Sequence, residues 1–206
     1  MSKRKYVIIR NIITKDVADF LFSYIKLREK ALLKLKEKKL ISTLDASYGT
    51  MGDPQIKDNF SIYGDPAFDN LLLYCKDKIE KEINLKLIPN YSYARLYKKG
   101  AELVRHKDRF SCEITTTLNL GGDHWPIYIE PSGQENLEGV KVDLNPGDMV
   151  IYRGDLCEHW REVFDKEICG QVFLHYNNIE TDPESKNIYD TRPYLGMPSF
   201  SKTKNG

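Results

Sequence analysis

The sequence predicts a mainly β fold, in which a sandwich or barrel of short strands follows two N-terminal helices. In the first half, apolar residues recur at the spacing of an α-helix, whereas from Tyr91 onward they alternate with a period of two. Turn residues separate the alternating segments, and several short strands with such turns are typical of sandwiches and barrels. The chain of 206 residues, 41% of them hydrophobic, is long enough to bury one core.

The first helix is predicted to begin after Thr14 and to extend to about Leu40. Thr14 is a suitable N-cap, and Asp16 is favourably placed near the positive end of the helix dipole. The apolar residues on its predicted buried face are Val17, Phe20, Leu21, Tyr24, Ile25 and Leu27.

A loop and a second helix are predicted next. Residues 42–65 are rich in glycine, aspartate, serine and proline, which indicates an irregular loop. The second helix should begin after Asp65-Pro66, because proline suits the first helical turn. Its apolar residues form one stripe that predicts packing, namely Phe68, Leu71, Leu72, Cys75 and Ile79.

Seven strands are predicted in the second half of the chain. The first is aromatic and alternating, from Tyr91 to Tyr97. The others are 110–120, 126–130, 140–144, 149–152, 157–163 and 170–176.

These elements predict a single domain over residues 1–178. Residues 1–88 would form a helical support region and loop, and residues 89–178 the β core. The polar segment 179–206, which contains three prolines, is expected to form a C-terminal tail or flap.

Charge and cysteine content restrict the partners and the compartment. The 31 basic residues nearly balance the 30 acidic ones, so a nucleic-acid partner is not indicated, although residues 1–40 carry 12 Lys or Arg and four acidic residues. No apolar run approaches the roughly 18 residues that a membrane span needs. Residues 1–10 do not resemble a secretory signal, and the four cysteines form no CxxC pair. We expect a cytoplasmic protein with buried, reduced thiols and no membrane partner.

Two histidines and one aspartate form the candidate metal site. In His106-Lys-Asp108, the two potential ligands fall on the same side of an extended segment, because side chains alternate along it. His159, 53 residues after His106, is the best third ligand. Two imidazoles and one carboxylate, with the opposite face open, are typical of non-haem iron(II) oxygenases. An HxD occurs by chance in many proteins, so the assignment depends on the strands, the proline-glycine turn and the second histidine that follow it.

Several segments of the second half together carry a family resemblance. They are Tyr93-Ala-Arg-Leu-Tyr-Lys-Lys-Gly100, Leu103-Val-Arg-His-Lys-Asp-Arg109, Thr115-Thr-Thr-Leu-Asn-Leu120, Leu144-Asn-Pro-Gly-Asp148, Glu158-His-Trp160 and Val172-Phe-Leu-His-Tyr176. In these segments the chain resembles the prolyl 4-hydroxylase-like branch of the iron(II)/2-oxoglutarate-dependent dioxygenases. The resemblance covers about residues 85–178, and more loosely the N-terminal helices.

The resemblance implies a fold, a set of cofactors and a reaction. The fold is a double-stranded β-helix, a jelly-roll or cupin-like barrel, braced by the N-terminal helices. Iron(II) would be held by His106, Asp108 and His159, with 2-oxoglutarate and O2 as cosubstrates, and ascorbate is compatible as a further cofactor. The reaction would be hydroxylation of a C–H bond, on a prolyl residue of a protein or peptide, a free amino acid or another small molecule. Residues 42–65 and the segment after Asn178 would be the flaps that face the substrate. Related halogenases lack the carboxylate, so Asp108 favours hydroxylation.

One position departs from the family pattern. In prolyl hydroxylases a basic residue about ten positions after the second histidine pairs with the far carboxylate of 2-oxoglutarate, but Cys169 occupies that position here. A thiol cannot replace a cation that donates two hydrogen bonds. Arg161 is our candidate for this role. It lies two residues after His159 on the same predicted strand, so both side chains should point into the barrel. Its planar guanidinium also suits a carboxylate. Lys166, in a turn-like segment, is a second candidate.

Three more residues are candidates for contact with 2-oxoglutarate. Gln171 is expected to face the barrel interior from the last strand. Tyr97 and Thr117 match, by position, residues that contact 2-oxoglutarate in this family, although packing inside the barrel would account equally for both. His175 is expected to be a hydrogen-bonded histidine of the core.

Two alternatives to a hydroxylase remain open. A nucleic-acid demethylase-type dioxygenase would fit the basic N-terminal region, but the arginines typical of repair dioxygenases after the second histidine are missing. A non-catalytic metal-binding β-barrel module would fit the loss of the basic residue at Cys169.

Overall fold

The computed structural model describes residues 5–42 and 44–197 as two antiparallel β-sheets and two α-helices. The helices are α1 (Lys15–Glu37) and α2 (Pro66–Ile83). The strands are β1 (Tyr6–Ile9), β2 (Thr50–Met51), β3 (Phe60–Tyr63), β4 (Leu87–Lys98), β5 (Leu103–His106), β6 (Ile114–Gly122), β7 (Ile127–Ile129), β8 (Val140–Val142), β9 (Met149–Arg153), β10 (His159–Arg161) and β11 (Ile168–Asn178). The fold is mainly β with N-terminal helices, as the sequence predicts.

Helix α1 begins where the sequence predicts and ends slightly earlier. The hydroxyl of Thr14 accepts a hydrogen bond from the N–H of Val17 at 3.4 Å, which satisfies a free donor of the first turn. The helix ends at Glu37 instead of about Leu40.

The buried face of α1 differs from the predicted one. Val17, Phe20 and Leu27 were expected to be buried, but they are 43%, 70% and 62% exposed, respectively. The prediction placed the large apolar residues on the buried face, whereas the face that packs against the sheet includes the small residue Ala18. The apolar residues that α1 buries are Ala18, Leu21, Ile25 and Leu32.

Helix α2 agrees with the prediction. Asp65 caps it by accepting a hydrogen bond from the N–H of Ala67 at 3.0 Å, and Pro66 occupies the first turn. The whole predicted apolar stripe is buried. Among the described residues, neither helix is both long and apolar enough to cross a lipid bilayer.

The prediction of an irregular loop over residues 42–65 was wrong in part. Strands β2 and β3 lie within it, and β3 pairs with β4 so that Phe60 lies opposite Leu96. The alternation in β3 is short: Phe60 and Ile62 join the core, whereas Tyr63 lines a cavity. Strands β1 and β5 were not predicted either. These four strands, β1, β2, β3 and β5, are too short for a clear alternating pattern, and their structure depends on pairing with other strands.

The seven predicted strands all contribute to the sheets, with different ends. Residues 110–112 form a short helical turn, so the strand predicted at 110–120 begins only at Ile114. The strand predicted at 157–163 shortens to three residues. Strands β4 and β11 are longer than predicted, with 12 and 11 residues.

The two sheets differ in size and surroundings. The larger has the order β1-β9-β6-β11-β4-β3-β2, and the smaller has the order β5-β10-β7-β8. The central strand β11 shows that the two faces of the larger sheet have different surroundings. Val172 and Leu174 pack in the core with α1 and α2, whereas the alternate residues Phe173 and His175 line a cavity. The helices therefore cover one face of this sheet, and the cavity lies on the other.

The segment after β11 is anchored to the body of the protein. Arg192 forms a buried ion pair with Asp69 of α2 at 2.7 Å. The N–H of Gly196 donates to the same carboxylate, and the Tyr63 hydroxyl donates to Asp190, each at 2.7 Å. These contacts hold residues 190–196 against α2 and β3.

Candidate metal centre

The structure brings His106, Asp108 and His159 together. His106 is the last residue of β5 and His159 the first of β10, and the two lie opposite each other in the pairing of these strands. Asp108 follows β5, and its N–H donates to the carbonyl of Gly154 at 2.8 Å. Asp108 Oδ1 lies 3.7 Å from His106 Nε2 and 3.6 Å from His159 Nε2.

Both imidazoles present Nε2 to the shared carboxylate. His106 Nδ1 lies 2.7 Å from the carbonyl of Val104, and His159 Nδ1 lies 3.1 Å from the carbonyl of Cys157. A carbonyl accepts only from a protonated nitrogen, so each Nδ1 carries a proton, and in the neutral form of such a ring the lone pair is on Nε2. Hydrogen bonds of this kind orient metal-binding histidines.

Burial sets the charge of His159. Its side chain is 3% exposed, and burial lowers the pKa of its imidazole to about 4, although the charge of Asp108 acts in the opposite direction. The imidazole is therefore neutral at physiological pH, which is the form that binds a metal ion.

A cavity of about 420 Å³ opens next to the three side chains. One wall is aromatic, with Tyr63, Tyr91, Tyr93, Tyr152 and Phe173. Such a volume lies within the range of small-molecule sites, in which apolar walls surround a few polar groups.

Residues 53–55, within the loop that was expected to face the substrate, form a second wall whose individual residues were not predicted. Asp53 accepts a hydrogen bond from the Tyr93 hydroxyl at 2.6 Å and forms an ion pair with buried Arg95. The side-chain nitrogen of Gln55 lies 3.3 Å from His106 Nε2. The charged Arg95 within an aromatic, alternating strand was a signal in the sequence, but its partner could not be found from spacing.

A third wall contains a thiol and the third inward-facing histidine. His175 is buried and hydrogen-bonded, as expected, and its Nδ1 lies 3.2 Å from Thr115 Oγ1. Burial alone raises the pKa of the Cys112 thiol, but His175 and the Tyr91 hydroxyl outweigh burial and lower it. The pKa of His175, which burial alone would lower, is raised because Cys112 lies beside it.

Arg161 lies deep inside the fold, and Lys166 does not. Arg161 is 1% exposed, its guanidinium carbon lies 4.9 Å from the centre of the Trp125 ring, and Nη1 donates to the Trp125 carbonyl. Among the described residues it forms no ion pair with a carboxylate, and its Nε has no hydrogen-bond partner. Lys166 is exposed. Because an unpaired buried charge is costly, Arg161 is suited to an anionic ligand.

The other three candidates for 2-oxoglutarate contact are also buried inside the fold. Tyr97, Thr117 and Gln171 are 0–1% exposed, and Thr117 Oγ1 and Gln171 Oε1 have no hydrogen-bond partner among the described residues. Together with Arg161, they lie behind the cavity wall and do not line it.

Tyr152 connects the cavity to this inner group. It lines the cavity, and its phenol has a pKa raised well above the ordinary value, first by burial and then by the charge of Asp108. Thr117 and the positive charge of Arg161 act on the same phenol in the opposite direction, so both are close to it. The Tyr152 ring also lies 4.8 Å from the His159 ring between centroids, so this side chain neighbours both the candidate metal ligand and the inner group.

Comparison with known proteins identifies the fold. A prolyl-4-hydroxylase from Pseudomonas putida matches with a TM-score of 0.61 and 17% identity, over 86% of this chain and 95% of that one. HygX from Streptomyces hygroscopicus, with nickel and 2-oxoglutarate bound, matches with a TM-score of 0.59 and 13% identity over 86% and 84%. A prolyl hydroxylase from Trichoplax adhaerens, in complex with a hypoxia-inducible factor peptide, gives 0.58 and 15% over 90% and 89%.

These matches show similarity of fold alone. No family model and no curated protein matches the sequence. The chain therefore has the fold of prolyl hydroxylases and other 2-oxoglutarate-iron oxygenases, and the resemblance found in its sequence is confirmed at that level.

Proposed function

We propose that this protein is an iron(II)- and 2-oxoglutarate-dependent dioxygenase that hydroxylates a C–H bond. The observation that carries the proposal is the group His106, Asp108 and His159, whose ligand atoms lie within 4.8 Å of one another beside a cavity. Residues 1–178 would be the dioxygenase domain and residues 89–178 its double-stranded β-helix. The antiparallel pairing within both sheets and the cavity that both sheets line support this assignment.

The donor set fits iron(II). Two imidazole nitrogens and one carboxylate oxygen lie on one side of the metal position, and the opposite side faces the cavity, where cosubstrate and O2 can enter. The backbone carbonyls that hold each Nδ1 fix both rings with Nε2 directed at the metal position. Oxidation of an unactivated C–H bond is the chemistry that iron(II) and 2-oxoglutarate supply when bound.

Arg161 is the proposed partner of the far carboxylate of 2-oxoglutarate. The guanidinium is buried without an anionic partner, and the Thr117 hydroxyl and the Gln171 side-chain amide, which can donate hydrogen bonds to a carboxylate, lie in the same interior. An arginine fork that binds a carboxylate gains two charge-assisted hydrogen bonds. Because Tyr152 neighbours both His159 and Arg161, we propose that its phenol turns aside when 2-oxoglutarate binds.

The proposed substrate is a prolyl residue of a protein or peptide, or an amino acid. The cavity could admit a side chain or a small molecule, and two of the similar structures are prolyl hydroxylases. Aromatic walls such as Tyr91 and Tyr93 suit the apolar ring of proline and would exclude water from the reacting carbon. Asp108 favours hydroxylation over halogenation, since halogenases use the space that the carboxylate fills.

Turnover of 2-oxoglutarate tests the proposal. Purified protein would be supplied with iron(II), ascorbate and 2-oxoglutarate, and succinate would be measured with and without proline-containing peptides and free amino acids. We expect succinate from the wild type, a strong loss in His106→Ala and Asp108→Ala, and no loss in His124→Ala. His124 is a matched control because it is an exposed histidine that pairs with Asp143. Equal background in the wild type and Asp108→Ala would contradict the proposal and favour a binding module.

A further inference from the structure

We propose that Asp108, Cys112 and His175 form a second metal site, which takes a thiophilic divalent cation such as Zn²⁺ or Cd²⁺. One ligand atom from each residue lies within 4.8 Å of the others, and all three residues line the cavity. The site needs neither 2-oxoglutarate nor the pair His106 and His159, so it does not rest on the proposed function.

Neighbouring strands bring the thiol and the imidazole together. His175, on β11, lies opposite Tyr91 of β4 on one side and Thr115 of β6 on the other. Cys112 ends the helical turn that immediately precedes β6. Its Sγ lies 3.0 Å from the Tyr91 hydroxyl, and the Tyr91 and His175 rings are 4.5 Å apart between centroids. Tyr91 therefore holds both ligands on the same side of the cavity.

Asp108 separates the two ligand groups by using a different oxygen for each. Its Oδ1 faces the nitrogens of His106 and His159 at 3.7 and 3.6 Å. Its Oδ2 accepts a hydrogen bond from Thr115 Oγ1 at 2.9 Å, and the same hydroxyl lies 3.2 Å from His175 Nδ1. Thr115 thus holds the second oxygen toward His175, on the side where Cys112 lies.

The donor chemistry selects a different metal from that of the first group. Thiolate, imidazole and carboxylate are the ordinary ligands of Zn²⁺, with bond lengths of about 2.0 to 2.3 Å. Soft sulfur favours Zn²⁺ or Cd²⁺, whereas the nitrogen and oxygen ligands of the first group accept iron(II) or Mn²⁺. Binding would require rotation of the side chains toward a common centre and would release the proton of Cys112 to solvent. Because Asp108 belongs to both groups, the bound cation would draw the carboxylate away from His106 and His159.

Cadmium titration tests the site through the ultraviolet absorption of the thiolate–cadmium bond. Metal-free protein is titrated with Cd²⁺, and the absorption is compared in the wild type, Cys112→Ser and Cys75→Ser. We expect the wild type and Cys75→Ser to bind one Cd²⁺ with this absorption and Cys112→Ser to lose it. Cys75 is the matched control because it is an equally buried cysteine on α2, outside the cavity. Equal absorption in the wild type and Cys112→Ser would overturn the proposal.

Two further variants keep the test decisive. His175→Gln retains the thiol and should weaken Cd²⁺ binding by about tenfold or more, since it removes one ligand. This variant also tests the proposal if Cys112→Ser does not fold, and unchanged affinity would contradict it. His159→Ala removes a ligand of the first group only, so it should retain the thiolate absorption. Loss of that absorption would mean that the thiol depends on the first group and would overturn a separate site.

Discussion

His106 and His159 lie opposite each other across the pair β5 and β10, and their ring centroids are 4.3 Å apart. Each ring is fixed through Nδ1 by the carbonyl of the residue two positions before it. The backbone of two short strands therefore sets the direction of both Nε2 atoms before any metal binds. Such preorganisation lowers the cost of assembling a site.

Gly154→Ala should weaken metal binding at His106, Asp108 and His159. A Cβ at residue 154 would lie 2.5 Å from Asp108 Oδ2 and Thr115 Oγ1 and 2.6 Å from the Cys112 carbonyl oxygen, so the carboxylate and the turn that holds it would have to move. We expect at least about a tenfold loss of Mn²⁺ affinity, by analogy with other changes that displace a ligand. Mn²⁺ binding, followed by electron paramagnetic resonance, measures this.

Gly139→Ala is the control for this prediction. A Cβ there would meet the Trp160 ring at 2.3 Å, an equally close approach that does not involve the three candidate ligands. It should lower stability and leave Mn²⁺ affinity unchanged. An equal loss of affinity in both variants would mean that Gly154 acts only through stability.

Arg161→Ala should weaken 2-oxoglutarate binding far more than metal binding. Loss of charge-assisted hydrogen bonds worth about 1.5–3 kcal/mol corresponds to roughly tenfold to a hundredfold in affinity. Calorimetry on the Mn²⁺-loaded protein measures both affinities. Arg28→Ala removes an arginine outside the cavity, paired with Asp65, and should not change 2-oxoglutarate binding.

A double variant that moves the positive charge from residue 161 to residue 169 makes the test of Arg161 stricter. Cys169 is buried near Arg161, and the charge of the arginine lowers the thiol pKa against the larger effect of burial, which raises it. In Arg161→Ala/Cys169→Arg the cation returns from β11, the position that is basic in prolyl hydroxylases. We expect this double variant to recover part of the affinity. Unchanged 2-oxoglutarate affinity in Arg161→Ala would contradict the proposed role of Arg161 as the partner of the far carboxylate.

The candidate metal ligands were accessible to sequence analysis because their signal is local. His106 and Asp108 are two residues apart, and His159 stands beside recognisable strands and turns. Their roles as ligands stay predictions, but their proximity needed only one correct pairing, that of β5 with β10. Long strands such as β4 were predicted for a similar reason, since alternation over many residues outweighs local ambiguity.

The rest of the cavity depends on contacts between distant residues. Asp53 contacts Arg95 and Tyr93, although at least 40 positions separate them in the chain. Cys112 and His175 meet only because β11 lies between β4 and β6. No local pattern encodes such a meeting, so residues 53–55 were predicted only as part of a loop that faces the substrate, and none of them was predicted individually. The error in the buried face of α1 has a similar cause. Packing against the distant sheet decides which face is buried, and that face contains Ala18.

Asp148→Asn should lower stability at neutral pH and lose this effect in acid. Burial alone would raise the pKa of Asp148, but the N–H groups of Asn11 and Asn145 and the charge of Arg10 lower it below its usual range. A carboxylate with a lowered pKa stabilises the fold above its unfolded pKa of about 3.9, and this contribution is lost as pH falls through the folded pKa.

Chemical unfolding at several pH values measures the effect of Asp148→Asn. The difference in unfolding free energy between wild type and variant should be largest near neutrality and shrink below about pH 4. Asp77→Asn, at an exposed position of α2, is the control and should change little at any pH. A difference that does not depend on pH would contradict the role of the Asp148 charge.

Arg192→Met should destabilise the protein strongly, because it leaves Asp69 buried without its cation. The two side chains are 1–2% exposed and 2.7 Å apart, and breaking such a pair costs about 3–5 kcal/mol. Lys186→Met breaks an exposed pair with Glu184 and should cost less than about 1 kcal/mol. Urea unfolding measures both.

In Asp69→Asn/Arg192→Met the total loss of stability should be smaller than the sum of the single losses, since neither charge is then left alone. Additive losses would mean that Arg192 acts through packing and not through its charge.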